Sequence, residues 1–165
     1  MKTFQKVLNR SIEWFTSILM ATMVFVAIWQ VVTRYILGSP STFSEEFLRY
    51  SLIWVTMIGG AYAFHLKKHI AIEMLVNRFS DATQKRVRQL VQLFLIAFAL
   101  LVMVYGGIQL VSLTMSQQTV SLGIPMGFVY LSLPISGLLI TWFCLTELLT
   151  GKNGTTQGSD EPIDL

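Results

Sequence analysis

The stretch IEWFTSILMATMVFVAIWQVV, residues 12–32, decides the fold. It has the length of about 20 residues that crosses a bilayer's hydrocarbon core, and Glu13 is its only charge. A basic start, Lys2, Lys6 and Arg10, precedes it. A cleaved signal peptide has that start too, but it has a shorter apolar run and a small-x-small cleavage site. Here the run ends instead on Thr33, Arg34 and Tyr35, a set suited to the headgroup level. The stretch therefore reads as a retained transmembrane span.

Three further stretches repeat the pattern, at about residues 47–66, 90–113 and 128–149. In lipid a helix satisfies its own backbone hydrogen bonds, and these runs are too long for barrel strands. The expected fold class is an all-α integral membrane protein with four transmembrane helices in a single domain over residues 1–150. Composition agrees. The chain has 165 residues, 53% of them hydrophobic and 13% charged, against about 25% charged in soluble domains. A net charge of +3, with basic residues set between apolar runs and forming no stripe, excludes a nucleic-acid binder. The single cysteine, Cys144, lies in an apolar run and reads as a small packed side chain.

Orientation follows from lysine and arginine. Lys2, Lys6 and Arg10 precede the first span, and Lys67, Lys68, Arg78, Lys85, Arg86 and Arg88 lie between the second and third. Lys152 follows the fourth. The other two connections, about residues 38–43 and 114–127, carry no charge. The positive-inside rule then puts both termini in the cytoplasm, with the chain as a multi-pass membrane protein. Lys67, Lys68, His69, Arg78, Lys85, Arg86 and Arg88 would be its cytoplasmic interfacial anchors.

The connections add detail. Ile72, Leu75, Val76 and Phe79 share one helical face, which predicts a short amphipathic helix in the interface plane between spans two and three. Asp81 and Gln84 have capping-box spacing, so a new helix is expected near Ala82. Pro125 suits the first turn of the fourth span, and Pro134 predicts a kink or a compensated carbonyl. Trp14, Tyr35, Tyr105 and Tyr130 fit an interface belt. Gly59-Gly60 and Gly106-Gly107 would permit close helix approach. Residues 151–165, ending in Asp160, Glu161 and Asp164, read as a disordered cytoplasmic tail.

Little here can do chemistry. Arg34 closes span one, and Glu45, Glu46 and Arg49 open span two, so all four are expected near the outer surface as a cluster of zero net charge. Glu45 and Glu46 lie four and three residues before Arg49, the spacings of helical ion pairs. Such charges serve as interfacial anchors, as polar contacts to a partner subunit or, less often, as a proton or substrate site. His65 and His69 have helical metal-ligand spacing, but no third ligand is near and Lys67 and Lys68 would repel a cation. Glu13 and Glu147 read as anchors near the cytoplasmic ends. No nucleophile triad, phosphate loop or cysteine cluster appears, so neither enzyme activity nor a metal or cofactor is expected.

Several motifs taken together resemble a family. FSEEFLR at residues 43–49, followed by Trp54, Gly59-Gly60-Ala61 and HIAI at residues 69–72, is similar to the small membrane subunit of tripartite ATP-independent periplasmic (TRAP) transporters. SLGIP at 121–125 and YLSLP at 130–134 resemble the last loop and fourth span of that family. The likeness covers about residues 10–150 in order, with Phe43 where the family would have tryptophan. It implies an accessory subunit of a sodium-coupled organic-acid importer. Its partners would be a large membrane subunit on a separate chain, which carries substrate, and a periplasmic binding protein. The small subunit would brace the large one and help dock the binding protein. The likeness is nearest to sialic-acid systems, then to C4-dicarboxylate systems. Two rivals stand beside it. A self-contained four-helix transporter would need an acid deep in a span, whereas the acids here lie near span ends. A respiratory membrane anchor would need in-span histidines.

Overall fold

The computed structural model describes residues 2–39, 41–76 and 81–150, with side chains for 5–39, 41–66, 86–87 and 89–146. The described residues are helical, apart from turns and an isolated antiparallel bridge between Gln118 and Pro125. The helices are α1 (Lys2–Tyr35), α2 (Thr42–Val76), α3 (Asp81–Phe98), a π-helical segment (Ala99–Gly106), α4 (Gly107–Thr114), α5 (Met126–Tyr130) and α6 (Ser132–Thr150). Four spans are long and apolar enough to cross a membrane: Gln5–Tyr35, Thr42–Leu66, Gln89–Thr114 and Met126–Thr146. The sequence reading placed the same four. The first span starts seven residues earlier than residue 12 and the second five earlier than residue 47, so Glu45, Glu46 and Arg49 fall in the first turns of span two.

Two expectations change. Residues 67–76 are helical but continue α2 without interruption, so they form no separate short helix. No glycine or proline lies between Leu66 and Val76 to end α2, and Lys, Glu, Leu and Met favour helix. Arg78 and the remainder of that segment, residues 77–80, lie outside the described residues, as does the tail. The third span is also not uniform. Its middle is π-helical over Ala99–Gly106, a form that hydropathy cannot distinguish from α. From Asp81 on the chain is helical, which includes the stretch from Ala82 that the capping spacing assigned to a helix.

In space α1 packs on α2, α2 on α6, and α6 on the π-helical segment. Ile12, Ile58 and Phe143 form the buried core, with Leu8, Trp54, Tyr62 and Leu139 against it. The seam between the third span and α6 is built from small residues. A Cβ on Gly137 would meet the Cβ of Met103 at 2.7 Å and the carbonyl of Ala99 at 3.1 Å, and one on Gly107 would meet Pro134 Cδ at 2.9 Å. Ser132 and Ser136 of α6 are fully buried and donate to the carbonyls of Val129 and Leu133. These hydroxyls thus bring no unsatisfied group into the packing of α6. Pro134 lies in the first turn of α6, just after the interruption at Leu131, where its missing N–H breaks little.

Candidate functional site

The N-terminal end of α2 starts with a serine cap. The N–H of Ser44 donates to Ser41 Oγ at 3.3 Å, and the two hydroxyls are 2.9 Å apart. Glu45 follows in the first turn, where the helix dipole favours an acid. It forms an ion pair with Arg49 at 2.9 Å, with both side chains more than 60% exposed. Such a pair contributes about 0–1 kcal/mol.

Glu46, the next residue, has a different environment. It is 9% exposed. Its Oε1 accepts the N–H of Val120 at 2.9 Å, and its Oε2 accepts those of Ser121 at 2.9 Å and Leu122 at 3.0 Å. The hydroxyl of Tyr50 donates to Oε1 at 3.3 Å. Three successive backbone donors converging on one anion make a nest. The loop bends to present them. The N–H of Thr119 donates to the carbonyl of Ile124 at 2.9 Å, and that of Met126 to Gln117 at 2.8 Å. Thr119 Oγ1 accepts the N–H of Ile124 at 3.0 Å, and Gly123 takes the left-handed conformation at φ +63°. Glu46 therefore latches the connection between spans three and four onto α2. The tip of that connection, Val120, is 97% exposed.

Of the four expected outer charges, Glu45 and Arg49 meet, while Glu46 joins the loop. Arg34 stands over the ring of Tyr35, 6.0 Å from its centroid, and forms no ion pair among the described residues. The latch was not foreseen, although the sequence held a signal for it. The loop at residues 114–127 contains no acid, so its free N–H groups needed an acceptor from elsewhere at the same end of the bundle.

At the other end, the carboxylate of Glu13 accepts a hydrogen bond from the Tyr62 hydroxyl, and Gln5 donates to Thr146 at 3.0 Å. These contacts tie α1 to α2 and to α6. His65 stacks on Phe143 with centroids 4.1 Å apart. Of the expected anchors, Arg86 is exposed. The side chains of Lys67, Lys68, His69, Lys85 and Arg88 lie outside the described residues. Among the described residues no three His, Cys, Asp or Glu come together as metal ligands would.

Residues 23–152 match the model of a family described as the DctQ component of tripartite ATP-independent periplasmic transporters. A putative TRAP transporter small permease protein of Haemophilus influenzae is 25% identical over 150 residues, covering 91% of this chain and 92% of that protein. The sialic acid TRAP transporter small permease protein SiaQ of Vibrio cholerae is 29% identical over 174 residues, covering 99% and 97%. The sialic acid TRAP transporter permease protein SiaT of Haemophilus influenzae is 24% identical over 150 residues, covering 90% of this chain but 24% of that longer protein.

Proposed function

Since this chain belongs to the DctQ family of small TRAP permease subunits, we propose that it is the accessory scaffold of a sodium-coupled importer of organic acids. In that role it braces a large transport subunit on a separate chain and leaves solute movement to it. The observation that carries this reading is the saturation of Glu46. A carboxylate offers about four acceptor positions, and three loop N–H groups and the Tyr50 hydroxyl take them. The buried acid of the outer end thus holds the fold together and is not free to bind a sodium ion or a solute.

Sialic acid is the favoured substrate class, supported by the likeness to SiaQ over almost the whole chain. A C4-dicarboxylate is the second. The large partner is supported by the likeness to a quarter of SiaT, where a segment similar to this chain belongs to a longer permease. The latched loop, with Val120 at its tip, is the surface offered to a periplasmic binding protein. Ten of the twelve Lys and Arg residues, all but Arg34 and Arg49, fall on one side of the four spans. That supports an inner-membrane protein with both termini in the cytoplasm.

The test is uptake of labelled sialic acid and of a dicarboxylate into proteoliposomes under a sodium gradient. Vesicles holding the large subunit, the binding protein and this chain should accumulate one of them, and omission of this chain should abolish uptake. Accumulation by this chain alone would overturn the scaffold reading. Reporter fusions at each terminus check orientation.

A further inference from the structure

At the end of the bundle opposite the Glu46 latch, α1 and α2 leave an open cleft of about 890 Å³. Lys6, Arg10 and Trp14 of α1 and Tyr62 of α2 line it, together with Glu13. Lys6 and Arg10 are one helical turn apart and so overlie the same face, with Trp14 one turn farther along. Both basic side chains are exposed, and neither forms an ion pair among the described residues. Glu13 is held toward α2 by the hydroxyl of Tyr62. Lys6 and Arg10 against Glu13 leave the cleft with one net positive charge. Beyond Trp14 the surface becomes apolar, with Phe15 and Ile18 exposed.

Along α1 the order is therefore two cations, an amphipathic ring, then exposed hydrocarbon. A phospholipid presents the same order from phosphate through glycerol ester to acyl chain. Lys and Arg supply charge-assisted hydrogen bonds to phosphate oxygens, and tryptophan sits at the headgroup level of bilayers. We propose that this cleft is a binding site for an anionic phospholipid, with Lys6 and Arg10 holding the phosphodiester and Trp14 lying against the ester region. Free phosphate shares the anion chemistry but has no use for the aromatic ring or the apolar surface beyond it.

The test uses the purified full chain in detergent and native mass spectrometry. Phosphatidylglycerol and phosphatidylcholine with the same acyl chains compete for binding. Each basic residue near an anionic lipid favours it about fivefold. With Glu13 opposing, the preference for phosphatidylglycerol should be on the order of tenfold. The double variant K6Q/R10Q should bring it to within about twofold. The swap K6R/R10K, which keeps both charges and shows that these positions tolerate change, should retain it. Arg86→Gln, an exposed charge away from the cleft, should leave it unaltered. An equal loss per charge in Arg86→Gln would mean a diffuse charged surface and overturn the site. Displacement of the lipid by millimolar inorganic phosphate would assign the cleft to free anions. Unchanged lipid preference in K6Q/R10Q, with release of the large subunit, would make it a protein contact. Either result refutes the lipid site.

Discussion

The seam between the third span and α6 and the outward face of α1 both belong to strongly apolar spans, yet the two behave differently. None of the most apolar window of span one is buried within the chain, against 39% of that of span four. In a bilayer, hydrophobicity does not choose between lipid and protein, because lipid tails are as apolar as leucine. Backbones approach closely where side chains are small. On the seam Gly107 and Gly137 are buried, against Pro134 and Met103. On α1 the outward positions carry Phe25, Ile28 and Trp29, all exposed. Size, more than polarity, separates the packed surface from the open one.

The sharpest way to break this comparison is to enlarge one packed glycine, on the seam, and one open glycine, on α2. Gly137→Leu drives carbon into Met103 and the Ala99 backbone, neither of which can swing away. The expected loss is about 3 kcal/mol or more, read by thermal unfolding in detergent. Gly60 has nothing within 4 Å of a built Cβ. Gly60→Ala should leave the chain unchanged or stabilise it by about 0.5–1 kcal/mol through helix propensity. A larger loss at Gly60 than at Gly137 would overturn the rule that close backbone approach marks the packed surface.

The loop that joins the third span to α5 depends on the latch, and the neighbouring acids offer an internal control. Glu46→Gln replaces one acceptor oxygen with an amide that faces backbone donors. Hydrogen exchange at Val120, Ser121 and Leu122 should accelerate about tenfold or more. Glu45→Gln, at an exposed ion pair, should leave those amides protected. Equal protection in the two variants would show that the loop holds itself. A smaller effect is expected at Gly123, whose φ of +63° suits only glycine well. Gly123→Val should destabilise by about 1 kcal/mol and loosen the same amides, since the turn that aims them is strained.

These sites also mark how far the sequence could be read. The four spans were legible because length and hydropathy act over about twenty residues at once. Glu45 with Arg49 was legible because helical pairing is local. Glu46 was assigned to the same local rule, but its three backbone partners lie 74 to 76 residues away in the chain. Glycine pairs were a poor guide to contact. Gly107 packs tightly and Gly106 does not, Gly59 is merely in contact with Thr16, and the unpaired Gly127 and Gly137 are among the tightest positions. Whether a glycine faces a neighbour depends on helix rotation, which the π-helical segment alters locally. Nothing in the composition of residues 99–106 announces that segment. The extension of α2 through Val76 was hidden for a different reason: amphipathic periodicity reports a helix but not whether it is joined to the one before.

The smallest expected effect lies on the open face and tests whether it is open to lipid. Phe25 is 75% exposed and sits near the middle of span one. Phe25→Ala removes a large ring, and in a packed core that change costs about 3–5 kcal/mol. On a surface it stays within about 0.5 kcal/mol. The expectation for the isolated chain is the second figure, checked by the same thermal unfolding. A loss above about 2 kcal/mol would mean that α1 is packed within the chain after all and remove the contrast with the seam. Retention of the large subunit on purification, measured with the same variant, sharpens the result. Undiminished retention leaves this face to lipid. If the chain stays stable but no longer retains the large subunit, the face belongs to the partner. The contrast would then be between a surface filled by this chain's own glycines and one that awaits another chain's side chains.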